Sequence, residues 1–193
     1  MKSLLAFLVV FSLAAFAGEI KELKTGDVVP AFTLKNHDGK EYSLKGMLKD
    51  HKFAVVMFIS TECPVSNAYN ERMVKLCDAY TKKGVAFAGI NANKAETVVD
   101  IASHAKDKGF TFPVLKDEQN KIADGYGAMA TPEVYLVDQK GTLLYHGRID
   151  DSRKPEKITS SDLANAIDAV LSGKPVPVAQ TKAIGCSIKR VDD

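Results

Sequence analysis

The chain has 193 residues, with 26 Lys and Arg against 24 Asp and Glu, a formal net charge of +2, and 46% hydrophobic residues. That balance excludes a disordered, collagen-like or polytopic membrane chain. It also lacks the basic excess that nucleic-acid binding needs, so no nucleic-acid partner is expected.

The first segment reads as a cleavable signal peptide. Met1-Lys2-Ser3 gives a positive start, Leu4 to Phe16 is apolar except for Ser12, and Ala15-Phe16-Ala17 offers small residues where a signal peptidase reads. The run has only about half of the roughly 20 apolar residues that span a bilayer. The expected organisation is a signal peptide at 1–17, one domain at 18–173 and a C-terminal arm at 174–193. The mature protein is expected to be secreted or periplasmic, with no integral membrane segment.

Along the mature chain, Pro30 to Leu34 and Glu41 to Leu44 flank Asn36-His37-Asp38-Gly39, a hairpin pattern. Phe53 to Ile59 is an unbroken apolar run, as in a strand buried on both faces. From Cys63-Pro64 a helix is predicted, with Val65, Tyr69, Met73, Leu76 and Tyr80 on one face and Gly84 as its stop. Val85 to Asn91 reads as a second buried strand and Glu96 to Lys108 as a second helix. Glu133 to Val137 and Thr142 to Ile149 form a second hairpin around Asp138-Gln139-Lys140-Gly141. Ser160-Ser161-Asp162 can cap a last helix that ends at Gly173. The Lys-rich stretches at Lys45 to Lys52 and Lys106 to Lys108 read as solvated faces. The order hairpin, βαβα, hairpin, helix implies an α/β fold with a mixed central sheet and helices on both faces. Lys174-Pro175-Val176-Pro177-Val178 onward reads as an extended arm.

Cys63 stands where the first long strand gives way to a helix. Unpaired backbone N–H groups and the positive helix end lower the pKa of a thiol there and raise its nucleophilicity. The alternative for such a residue is a buried structural thiol. Cys77, on one continuous helix, would lie about 21 Å further along, far beyond the roughly 7 Å that a disulfide can bridge. It packs with Met73 and Tyr80 as a core residue. Cys186 follows Gly185 on the arm, which is long enough to return to the Cys63 face. It could resolve a mixed disulfide or sulfenic acid formed at Cys63, or remain a tail thiol that pairs between chains or stays idle. Ser60 could donate to the thiolate or to a peroxide oxygen, or simply cap the helix. Arg148 could stabilise the thiolate and developing charge, or serve as a salt-bridged strand residue. Glu62 would oppose a lowered thiol pKa if it pointed inward. His37, His51, His104 and His146 form no short-spaced ligand set, and no nucleotide-binding glycine pattern occurs, so neither metal nor organic cofactor is expected.

Phe58-Ile59-Ser60-Thr61-Glu62-Cys63-Pro64-Val65-Ser66 and Tyr126 to Asp138, with Thr131-Pro132 inside, resemble the active-site and cis-proline segments of thioredoxin-fold redox proteins. More closely, they are similar to the peroxiredoxin-like branch of the alkyl hydroperoxide reductase/thiol-specific antioxidant superfamily. Tyr145 to Asp151 and Pro175-Val176-Pro177 through Gly185-Cys186-Ser187-Ile188-Lys189 extend the resemblance over roughly Lys24 to Arg190. It departs from thioredoxins in carrying Ser66, not Cys, three residues after Cys63. It departs from peroxiredoxins in carrying Val56 seven residues before, although Ser60 fills the position three before.

The resemblance implies a thioredoxin-like three-layer fold with an added N-terminal β-hairpin and an extended C-terminal arm. It implies a cis Thr131-Pro132 bond facing Cys63, whose free backbone groups would bind an extended substrate chain. The implied activity is that of an exported thiol-based oxidoreductase. Cys63 would be its nucleophile toward a peroxide or a protein disulfide, an external thiol would be its reductant, and no cofactor would be needed. The alternative from another class is a non-catalytic thioredoxin-fold binding module with a monothiol site.

Overall fold

The computed structural model describes residues 22–191; the expected signal peptide at 1–17 lies outside them. The expected N-terminal hairpin forms from β1 (Thr33–Lys35) and β2 (Glu41–Ser43), antiparallel with Leu34 opposite Tyr42. A helix follows that the lysine pattern concealed, α1 (Leu44–Asp50). Ser43 caps it by accepting the Gly46 N–H at 3.0 Å, and Leu44, Met47 and Leu48 form its buried face. The lysines lie on the other side, so a solvated face was half of the description.

The central sheet grows from β3 (Phe53–Phe58), which pairs in parallel with β4 (Val85–Asn91). The chain between them makes two helices, α2 (Pro64–Asn67) and α3 (Asn70–Thr81), where the periodicity predicts one. The break falls at Ala68 and Tyr69. Beyond β4 come α4 (Val98–Asp107), β5 (Val114–Lys116) and α5 (Lys121–Tyr126). The last two are short and have no clear period of their own. The predicted second hairpin is β7 (Glu133–Asp138) with β8 (Leu143–Gly147), preceded by the two-residue β6 (Ala130–Thr131). The last helix is α6 (Asp162–Leu171), and the arm holds one further strand, β9 (Cys186–Ser187).

The sheet order is β5-β4-β3-β7-β8, with β7 and β8 antiparallel to their neighbours, so the sheet is mixed as expected. Alternation along β3 feeds two cores. Ala54, Val56 and Phe58 face a layer containing α1, α5 and the N-terminal segment, while Val55, Met57 and Ile59 face α3, α4 and α6. The arrangement is a three-layer, thioredoxin-like α/β fold. Among the described residues no helix is long and apolar enough to cross a membrane.

The arm is bound to the domain at two places. Near its middle, His146 N–H donates to Ala179 O at 3.1 Å and Thr181 N–H to His146 O at 3.0 Å. Gly147, at φ +145°, permits this approach, because a Cβ there would overlap the Thr181 carbonyl. Near its end, Ile188 donates its N–H to Met129 O at 3.0 Å and buries its side chain in the core with Phe32, Phe58 and Tyr126. Ile188→Ala should lower unfolding stability by about 2–4 kcal/mol, the cost of emptying a core aliphatic site. Urea unfolding should show a lower midpoint at unchanged slope.

Candidate active site

β3 delivers the chain to the site. Ile59 N–H still donates to Ile90 O at 3.0 Å, after which the backbone leaves the sheet through Ser60, Thr61 and Glu62. Cys63 is the N-cap of α2, and its Sγ accepts the Ser66 N–H at 3.3 Å. The sulfur also lies 3.4 Å from Thr131 O, and the residue is only 5% exposed. Pro64 occupies the first helical position, where its missing N–H removes no bond.

Cys63 is joined to Cys186 by a disulfide with a Cα–Cα separation of 6.0 Å, across 123 residues of sequence. Cys77 is free and buried on α3. The arm reaches Cys63 by adding a strand: β9 pairs antiparallel with β6, Cys186 opposite Thr131 and Ser187 opposite Ala130. Thr131-Pro132 is a cis peptide, as expected. Its edge, however, is not open to a foreign chain as expected, because the protein's own arm lies along it. Gly185 makes that possible, since a Cβ at this position would overlap the Thr131 carbonyl.

Ser60 directs its single proton to Glu96 Oε1 at 2.5 Å, and its Oγ accepts the N–H groups of Glu62 at 3.2 Å and Cys63 at 2.9 Å. These bonds fold the turn that leads into α2, while the helix itself is capped by Cys63. Glu62 is exposed. Arg148 gives its Nε to Asp162 at 2.7 Å, and this bond, ahead of other causes, raises its pKa further. Its side chain lines a cavity whose walls also include Tyr69, Pro132 and Ile184. Arg148 therefore stands beside the cis proline while its charge is paired.

Two acidic residues that sequence reasoning missed hold the site in place. Glu96 was expected to open a helix; instead Thr97 caps α4, and Glu96 turns inward at 3% exposure. Besides Ser60, its carboxylate accepts Thr61 N–H at 2.5 Å, Thr61 Oγ1–H at 2.7 Å and Asn91 Nδ2–H at 2.6 Å. Such saturation is what allows a carboxylate to be buried. Glu133, at the start of β7, accepts the N–H groups of Met129 at 2.8 Å and Ala130 at 2.9 Å on one oxygen. The other oxygen meets His146 Nε2 at 2.5 Å and Tyr135 OH at 3.1 Å. Burial pushes the Glu133 carboxyl pKa up, but the His146 bond and the two amides outweigh it and hold it below its usual value. An acidic residue carries no sequence mark for such a role: Ser60 and Thr61 lie 36 and 35 residues from Glu96, and His146 lies 13 from Glu133.

Glu96→Ala should orphan the Ser60, Thr61 and Asn91 donors and cost roughly 2–4 kcal/mol of stability in chemical denaturation. For Glu133 the folded pKa is depressed, so its stabilisation is present above the ordinary value of 4.5 and fades as pH falls through the folded value. Wild type should therefore melt higher than Glu133→Gln at pH 7, and the gap should narrow at pH 3.

The AhpC/TSA family pattern matches residues 25–146, well over half of the sequence, and the chain belongs to this family of oxidoreductase enzymes. It is 28% identical to the thiol-disulfide oxidoreductase ResA of Geobacillus thermodenitrificans over 128 residues, 66% of this chain and 71% of that protein. It is 29% identical to the chloroplastic peroxiredoxin Q of Triticum aestivum over 134 residues, which cover 64% of this chain but only 58% of that one. The crystal structure of a hypothetical protein from Sinorhizobium meliloti superposes with a TM-score of 0.83 at 35% identity, covering 90% of this chain and 98% of the other.

Proposed function

For this member of the AhpC/TSA family, we propose an exported thiol-disulfide oxidoreductase that cycles between a Cys63–Cys186 disulfide and the corresponding dithiol. The observation that carries the reading is the pairing itself. A sulfur at the mouth of a helix is bonded to a second one brought to it along the cis-proline strand. A monothiol binding module has no use for that second sulfur. In the dithiol form, Cys63 thiolate attacks a partner disulfide, forming a mixed disulfide and releasing one partner thiolate. Cys186 thiolate then attacks Cys63 Sγ, closing the internal disulfide and freeing the second partner thiolate. Two electrons pass to the partner, and an external thiol restores the dithiol.

The commitments of the neighbouring donors favour a disulfide over a peroxide as oxidant. Ser60 points its proton at Glu96, and Arg148 is paired with Asp162, so neither faces the sulfur as a donor to a peroxide oxygen. The similarity to peroxiredoxin Q supports peroxide reduction as the second reading. In it, Cys63 thiolate takes one peroxide oxygen as a sulfenic acid and releases the alcohol or water. Cys186 then displaces water to give the same disulfide. Export rests on the segment at 1–17.

Cys63→Ser should abolish turnover of a model disulfide. Cys186→Ser should stop after one event, with the partner trapped on Cys63, and Cys77→Ser should behave as wild type. Non-reducing peptide mapping reads the trapped species. Cys63-dependent peroxide loss faster than disulfide turnover would transfer the assignment to the second reading.

A further inference from the structure

His146 lies near the end of β8 in a position that leaves its two ring nitrogens with different surroundings. Nε2 is bonded to the Glu133 carboxylate at 2.5 Å, and the ring stacks on Tyr135 with centroids 4.4 Å apart. A carboxylate can only accept, so Nε2 carries the hydrogen of that bond, and in the neutral ring Nδ1 presents a lone pair. The residue is 4% exposed, and Nδ1 is buried with no hydrogen-bond partner. Native structures satisfy nearly all such atoms, and one left over on a residue that lines a cavity points to a ligand.

The cavity has a volume of about 540 Å³, within the range of small-molecule sites. Beside Nδ1 stands the Glu22 carboxylate, 63% exposed, held by Gln180 Nε2 at 2.9 Å and lying 3.8 Å from the ring nitrogen. At 3.8 Å the two lie beyond hydrogen-bond distance and form an ion pair only where the ring is protonated. A single donor nitrogen about 2.9 Å from each would bridge them. The same cavity is lined by Lys182, which is exposed and has no partner among the described residues. An acceptor pair and a separate cation together match a zwitterion. Ala183 and Ala130 also line the cavity; Ala183 is three residues before Cys186, and Ala130 pairs with Ser187. The head-group site thus adjoins the strand that carries the half-buried sulfur, whereas Cys63 is sealed beneath it.

We propose that this cavity holds the amino-acid head of a small thiol, and that this thiol is the reductant of the Cys63–Cys186 bond. The ammonium would bind His146 Nδ1 and Glu22, and the carboxylate would bind Lys182. The proposal rests on the redox reading above and names the class of its electron donor. The bound thiolate attacks Cys186 Sγ, a new S–S bond forms, and Cys63 leaves as a thiolate that accepts the Ser66 N–H. A second molecule of the thiol, as thiolate, attacks the sulfur of the first. The small disulfide departs and Cys186 becomes a thiolate, so two thiols have supplied two electrons and released two protons.

The test reduces the oxidised protein with L-cysteine, cysteamine, which lacks the carboxylate, and 3-mercaptopropionate, which lacks the ammonium, with rates expressed per thiolate. L-cysteine should saturate and exceed 3-mercaptopropionate by about tenfold, the size of a charge-assisted hydrogen bond. Lys182→Ala should bring L-cysteine down to cysteamine. Glu22→Gln should slow both amines and leave 3-mercaptopropionate unchanged. Because both residues are exposed, neither variant threatens the fold. Independently of any redox step, L-serine should shift the His146 Nδ1 resonance in wild type and not in Glu22→Gln. Equal, unsaturable rates for all three thiols with no serine shift would overturn the head-group site while the redox cycle stands. Failure of every thiol to open the disulfide would overturn the redox reading, and the reductant assignment with it, even where L-serine binds.

Discussion

The chemistry of this protein depends on a ladder of two residues on each side. Ala130-Thr131 and Ser187-Cys186 pair across it, and through that pairing alone the second sulfur meets the first. Neither strand would be stable by itself, since a two-residue ladder lacks the length to persist in water. It is held from outside: Glu133 fixes the Met129 and Ala130 amides, and Ile188 anchors the arm just beyond Cys186. The disulfide is thus a product of packing on either side of the sulfurs.

The turn carrying Cys63 follows the same logic. Glu96 organises Ser60 and Thr61, and Ser60 in turn receives the Cys63 amide. A buried anion is costly unless its oxygens are filled, and here four donors converge on it from β4 and from the turn. The arrangement places a negative charge two bonds of the network away from a sulfur that a helix mouth favours as an anion. Position, more than charge, is what Glu96 contributes.

Much of this was legible in the sequence, because hydrophobic period and punctuation act locally. The apolar runs at Phe53–Phe58 and 85–90 fall in the central strands, and Gly84 and Gly173 take positive φ after helices as expected. The cis bond at Thr131-Pro132 and the free Cys77 were also expected. What was not legible depends on partners far along the chain. Asn91, Glu96 and Ser60 meet only after β4 lies beside β3, and the occupied cis-proline edge requires residues 55 positions apart to pair. Short elements were lost for a different reason. α1 has a single turn of apolar spacing inside a lysine-rich stretch, and β5 has three residues, too few to show a period.

The arm's two attachments, at Ala179–Thr181 and at Ile188, lie on either side of Cys186 and are independent of the sulfurs. Breaking the S–S bond therefore frees only the short stretch from Lys182 to Ser187 to lift, while its ends stay put. The tethered thiol then faces Cys63 at a high effective concentration. In a mixed disulfide on Cys186, the Cys63 thiolate can displace the foreign thiolate and re-form the internal bond, so a second thiol would have to act within the interval that this short leash allows.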